Sequence, residues 1–202
     1  MSEPENPLIA FSDHAARLVA TVAGATVSVQ AGRRVRSSGI HWRSGVIVTA
    51  EEVLEADDDI KVTLPDGRQV PASLAGRDPT TDVAVLRFQP DGLPVAPTAD
   101  SASLRAGHVV MAVGSHAAAP VANLGIVSHV GGAWQSMRGG TIDALLRLDL
   151  RLSPAAEGGA LVDTQGRLKS ENALSVSRRS SWKALRMVRT SISVAALILT
   201  SG

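Results

Sequence analysis

The side chains able to do chemistry are few and scattered. The 202-residue chain has five histidines and no cysteine. That excludes disulfides, thiolate nucleophiles and Cys-ligated zinc. His14, His41, His108, His116 and His129 form no HxxxH pair, and no cofactor or resident metal is expected. Serines are plentiful, but none stands in a GxSxG context. The small-residue stretches AGAT (23–26) and GSHAAAP (114–120) lack the lysine of a phosphate-binding loop. Carboxylates are the richest resource, above all in EEVLEADDD (51–59). That run is expected to be a solvated helical turn and loop. The basic stretch SRRSSWKALRMVR (177–189) is expected to be a solvated surface segment.

Composition narrows the partners. Lys and Arg total 20 against 19 Asp and Glu, a net charge of +1, which gives no field for nucleic acid. Tyr is absent and aromatics make up 2%, so single strands find no stacking platform. The chain is 45% hydrophobic, enough for a sizeable core, which must be built from Val, Leu, Ile and Ala. The most apolar run, Ile192–Leu199, is too short to cross a bilayer. The N-terminus begins acidic and lacks the basic region of a signal peptide, so a cytoplasmic location without membrane contact is expected.

Residues 8–23 carry apolar positions at helical spacing. Ser12 and Asp13 are the expected caps and Gly24 the stop. From Ala25 the period changes. TVSVQ (26–30), GVIVTA (45–50), DIKVTLP (59–65), VAVLRF (83–88), HVVMAVG (108–114), LGIVSHV (124–130) and LLRLDL (145–150) are short and β-branched, with Gly, Pro and Asp between them. Such a series predicts an antiparallel barrel or sandwich. PDGR (65–68) and DTQGR (163–167) read as hairpin turns. The Pro-rich stretch 91–107 reads as a connection between halves at 25–90 and 108–202, after an N-terminal arm at 1–24. After Gly166 the pattern breaks into the polar RLKSEN (167–172). A shift of reading frame near codon 168 would account for that break.

The order of these blocks resembles the protease domain of HtrA/Deg-type, trypsin-like serine proteases. The resemblance runs from Ala25 to Leu168. It is most specific in TLPDGR (63–68) with GRDPTTDVAVL (76–86), and continues through SPAAEGGALVDTQGRL (153–168). It implies an all-β fold of two antiparallel barrels with the active site between them, a short N-terminal helix and a C-terminal helix. It also implies that three positions face one another. The family's His block reads Thr49-Ala50-Glu51-Glu52-Val53-Leu54 here, so Glu52 stands where the His would be. Asp82 is retained in the Asp block. In Pro154-Ala155-Ala156-Glu157-Gly158-Gly159, Glu157 stands where the Ser would be.

A triad needs a hydroxyl to attack, an imidazole to carry its proton and an Asp to orient the imidazole. Glu157 has no hydroxyl for an acyl-enzyme route. Glu52 cannot shuttle protons near neutral pH unless its pKa is strongly raised. The Gly that commonly permits the oxyanion turn is Ala155. Loss of nucleophile and base together costs about six orders of magnitude in a well-studied protease. Three carboxylates in one cleft have three outcomes. They swing into solvent, share a proton, or hold a hard cation, in that order of expectation. The expected function is therefore a catalytically inactive HtrA-like homologue that holds extended peptide or protein. The alternative is a trypsin-like serine endopeptidase acting on unfolded or extended polypeptide. The resemblance places the peptide-receiving edge in 169–190, leaves no length for a PDZ domain before Gly202, and points to trimers built through N-terminal segments.

Overall fold

The β-branched runs fold as strands because extended backbone suits a side chain branched at Cβ. The computed structural model describes residues 6–32, 36–79, 82–89, 92–96, 98–99, 104–132, 134–135, 141–142, 144–166, 168–169 and 184–187. Helix α1 (Pro7–Ala23) opens the chain. Its cap is Asn6, not Ser12 or Asp13. Asn6 Oδ1 accepts from Leu8 N at 3.0 Å, and Pro7 stands where no amide partner is needed. The apolar period begins at Leu8, so the cap lies before it. Ala15, Leu18, Val19 and Val22 turn inward from the last turns.

Six strands follow: β1 (Thr26–Gln30), β2 (Arg36–Arg43), β3 (Val46–Ala50), β4 (Ile60–Thr63), β5 (Gln69–Asp78) and β6 (Val83–Phe88). They close into an antiparallel barrel of order β1-β2-β3-β6-β5-β4. Val27, Val29, Ile47, Val62, Leu64 and Leu86 fill it. The β4–β5 hairpin turns at PDGR as expected, with Gly67 at φ 86°. Asp66 accepts from Arg68 N at 3.0 Å and from Arg68 Nε at 2.6 Å, which holds its carboxyl below the ordinary carboxylate range.

The second half contributes β7 (Thr98–Ala99), β8 (Val109–His116), β9 (Ala119–Gly131), β10 (Trp134–Gln135), β11 (Thr141–Ile142), β12 (Ala144–Leu150), β13 (Ala160–Asp163), β14 (Leu168–Lys169) and β15 (Ala184–Met187). β10 and β11 pair by themselves. The rest form a seven-stranded sheet of order β15-β12-β9-β8-β13-β14-β7. Among the described residues the closed barrel is the first half, and the second half is this sheet. Val110, Ala112, Val127, Leu148, Leu150 and Leu161 pack on one face of the sheet. The other face meets α1 and the first barrel through Met111, Val113, Ala160 and Val162 against Val22 and Ile40. The DTQGR turn joins β13 to β14 with Gly166 at φ 72°. The expected C-terminal helix falls almost wholly outside the described residues, and residues 184–187 are a strand beside β12.

Candidate active site

β3 is fully buried and ends at Ala50, where the chain tightens into a 3₁₀ turn over Glu51–Val53. Asp82 enters β6 with φ 58°, a left-handed conformation that Asp tolerates better than most residues. Two bonds join the segments. Glu51 N donates to Asp82 O at 3.3 Å, and Glu52 N donates to Asp82 Oδ1 at 2.9 Å. Glu52 and Asp82 are thus brought together, both half-buried. Glu51 is not solvated as the acidic run suggested. It is buried, and its Oε1 accepts from Arg77 Nη1 at 3.0 Å while Arg77 Nη2 reaches Asp57.

Glu157 follows a second 3₁₀ turn, Pro154–Ala156. Its neighbour Gly158 lies at φ 76°, where a Cβ would run into the Ser38 carbonyl and the Thr49 hydroxyl and stand 3.1 Å from Ala50 N. Only glycine fits there. The turn is therefore pressed against the end of β3, directly before Glu51 and Glu52. Glu157 is buried at 8% exposure, which corrects the expectation that its side chain swings into solvent. Among the described residues, no group of three or more His, Asp and Glu is placed to hold a metal ion.

The amides of the turn are engaged within it. Glu157 N donates to Pro154 O at 3.2 Å, and Ala156 N to Ser153 O at 3.0 Å. Ala155 lies inside this turn. An oxyanion site needs free amides converging on one point. The turn as folded directs the Glu157 amide elsewhere.

Sequence reasoning missed Ser38. In β2, Ser38 N donates to Glu157 O at 2.7 Å and Ser38 Oγ donates to Ala155 O at 2.6 Å. Ser115 N donates to Ser38 Oγ at 2.7 Å, and Thr49 Oγ1 donates to Ser38 O at 2.6 Å. No local signal marks this residue, since its partners come from β3, β8 and the 154–157 turn. His41, also in β2, is a buried ring. His41 is 1% exposed, with Nδ1 2.8 Å from Pro94 O and its ring edge-on to Phe88. Its position in β2 turns it into the first barrel, beneath the connection at 93–96.

The fold matches known proteins. The pattern of the trypsin-like peptidase domain matches residues 37–169, more than half of the chain. The chain belongs to the trypsin-like peptidase domain family. Within it, the similarity is to the HtrA type. A probable periplasmic serine endoprotease DegP-like from Halomonas elongata is 32% identical over 159 residues, covering 76% of this chain and 32% of that protein. A serine protease Do-like HtrA from Bacillus subtilis is 34% identical over 137 residues, covering 65% and 30%. The chain thus spans about a third of the length of these relatives. The crystal structure of Deg5 superposes with a TM-score of 0.77 at 22% identity, over 98% of this chain and 99% of that one, a likeness of fold. The expectation of a cytoplasmic location is corrected: the Halomonas relative and others among the matching HtrA-type proteins are named periplasmic.

Proposed function

We propose that this chain is a catalytically inactive HtrA-type serine protease homologue that holds extended polypeptide without cutting it. The observation that carries the reading is Glu157. In our reading Glu157 takes the position of the family's nucleophile; it is a buried carboxylate with no hydroxyl, and its amide is spent on Pro154 O. Glu52 at the position we assign to the proton carrier supports the same reading, because it is not the imidazole that the triad uses to take and return the proton. Asp82 then holds a main-chain amide where the triad's Asp would orient a ring. The relatives' periplasmic names support an extracytoplasmic site of action. Leu8, Ile9 and Phe11, exposed on the first turns of α1, support assembly through the N-terminal arm.

A second reading, a serine endopeptidase of extended polypeptide, is favoured by the relatives' names. Fluorophosphonate labelling of the unaltered purified chain separates the two. The proposed reading expects no adduct; a stoichiometric serine adduct establishes the second. Retention of binding is read by anisotropy of fluorescent unfolded casein, which rises with chain concentration if the cleft still holds polypeptide.

A further inference from the structure

We propose that the end of the first barrel away from the candidate active site binds a carboxylate carried on a compact apolar body. The proposal does not depend on the inactive reading above. A cavity of about 540 Å³ opens where the β2–β3 turn, β5 and the end of β6 meet. The ladder fixes its place. β3 and β6 pair from Ala50 with Val83 to Val46 with Arg87. The first of these pairs adjoins Glu51 and Asp82. The second lies roughly 13 Å further along the strands, and it borders the cavity. The β2–β3 turn forms one wall. Gly45 lies at φ 74°, and a Cβ there would stand 3.3 Å from Phe88 O, so glycine lets the turn close onto the end of β6. Phe88 N donates to Gly45 O at 3.1 Å and fixes that contact.

Register sets the chemistry. Arg43 stands opposite Val46, Val46 opposite Arg87, and Arg87 opposite Ser73. Directly opposed residues share a face, so these four form one row across β2, β3, β6 and β5. The face is the outer one: Val46 packs with Val48, Val83 and Val85, while Ile47 and Leu86 fill the barrel. Val46, Arg87 and Ser73 line the cavity, and Pro71 and Phe88 add apolar wall. Arg87 is the one charged group among the described lining residues, none of which is Asp or Glu. Exposed Arg43 adds a second cation about 10 Å away along the row. Arg87 also has an interaction elsewhere in the chain, but a guanidinium carries five donors and its fork matches a carboxylate. The Ser44 and Ser73 hydroxyls supply further donors, and the apolar wall takes the body of the ligand. A phosphate monoester carries close to two charges and fits a half-apolar wall with one guanidinium less well. A carboxylate of this kind has two sources: a free small acid and the last residue of a polypeptide.

The test is an amide NMR titration of the full chain with hydrocinnamate, with N-acetyl-glycyl-phenylalanine, with the amides of both, and with inorganic phosphate. Saturable shifts are expected at Gly45, Ser73, Arg87 and Gln89 with hydrocinnamate, the peptide acid or both, and none at Ala156, Glu157 or Gly158. Saturation by hydrocinnamate identifies a free acid as the source, and saturation by the peptide acid alone identifies a chain end. The amides are expected to bind about tenfold more weakly, and so are the acids to Arg87→Gln. Arg43→Gln is expected to weaken binding about threefold at low salt and less at high salt. Where Arg87→Gln does not fold, Ser73→Met places a bulky side chain on the same face and is expected to abolish the shifts. The proposal is overturned by an absence of saturable shifts with both acids, by equal binding of acid and amide, by phosphate binding more tightly than either acid, or by shifts confined to 156–158.

Discussion

The amide of Glu52 donates to Asp82 Oδ1 at 2.9 Å, so the aspartate holds a main-chain turn at the point where β3 ends. This bond joins two segments 30 residues apart and fixes the Glu51–Val53 turn to the entry of β6. Asp82 does so from φ 58°. Asp82→Asn keeps an acceptor and a tolerance for that conformation, and is expected to change stability by less than about 1 kcal/mol. Asp82→Ala loses the acceptor and is expected to cost about 1–3 kcal/mol. Urea unfolding midpoints at constant slope distinguish the two.

Gly158 packs tightly against the first half. Gly158→Ala forces a Cβ onto the Ser38 carbonyl and the Thr49 hydroxyl and also demands φ 76° of an alanine. A loss of about 2–4 kcal/mol is expected, from overpacking and backbone strain together. Thermal unfolding measures it; a midpoint equal to that of the unaltered chain contradicts the packing described.

How much of this was legible in the sequence depends on the kind of residue. The runs TVSVQ and VAVLRF read directly as β1 and β6, because period and β-branching agree with burial on the barrel wall. The PDGR turn was legible for the same reason, since Pro65 and Gly67 supply the torsions themselves. β2 was not visible as a strand from pattern alone. Its Ser37, Ser38 and His41 are polar yet buried, with partners from β1, β8 and the 93–96 connection, although His41 Nε2 is buried without one. The site positions at 52, 82 and 157 came from resemblance, while the closed turn behind Glu157 depends on contacts 77 and 117 residues distant along the chain. No local pattern encodes such contacts.

The β8–β9 hairpin carries removable strain. Its two-residue loop, Ala117 and Ala118, has φ 49° and 73°. Both values suit a primed turn, which prefers an asparagine followed by a glycine. The double substitution Ala117→Asn with Ala118→Gly is expected to stabilise the chain by about 1–2 kcal/mol. Calorimetry reads the change as a higher melting temperature.

Arg77 ties the acidic run to the first barrel through Glu51 and Asp57. Arg77→Met leaves Glu51 buried without its cation and is expected to cost about 1–3 kcal/mol, below the value for a wholly buried pair because the Arg77 side chain is 28% exposed. Arg77→Met combined with Glu51→Gln is expected to recover part of the loss. A double-mutant cycle in urea gives the coupling.

At acid pH the β4–β5 turn loosens by a defined route. The Arg68 amide and guanidinium hold the Asp66 carboxyl below the ordinary carboxylate range. A carboxyl lowered in the folded state contributes stability that is complete above its unfolded pKa and is lost as pH falls through its folded pKa. The Asp66 side chain is exposed, so the effect is small. Asp66→Asn is expected to flatten the stability profile in that acid window and to lower the neutral plateau slightly. Urea midpoints taken across the acid range for both chains check it.

The central claim is that the cleft does not hydrolyse peptide bonds. Its most direct measurement is the release of fragments from unfolded casein by the purified chain, followed by mass spectrometry over many hours at neutral pH. The account expects no fragments above a protein-free blank. Cleavage that grows in proportion to chain concentration and disappears on Glu157→Ala would contradict it.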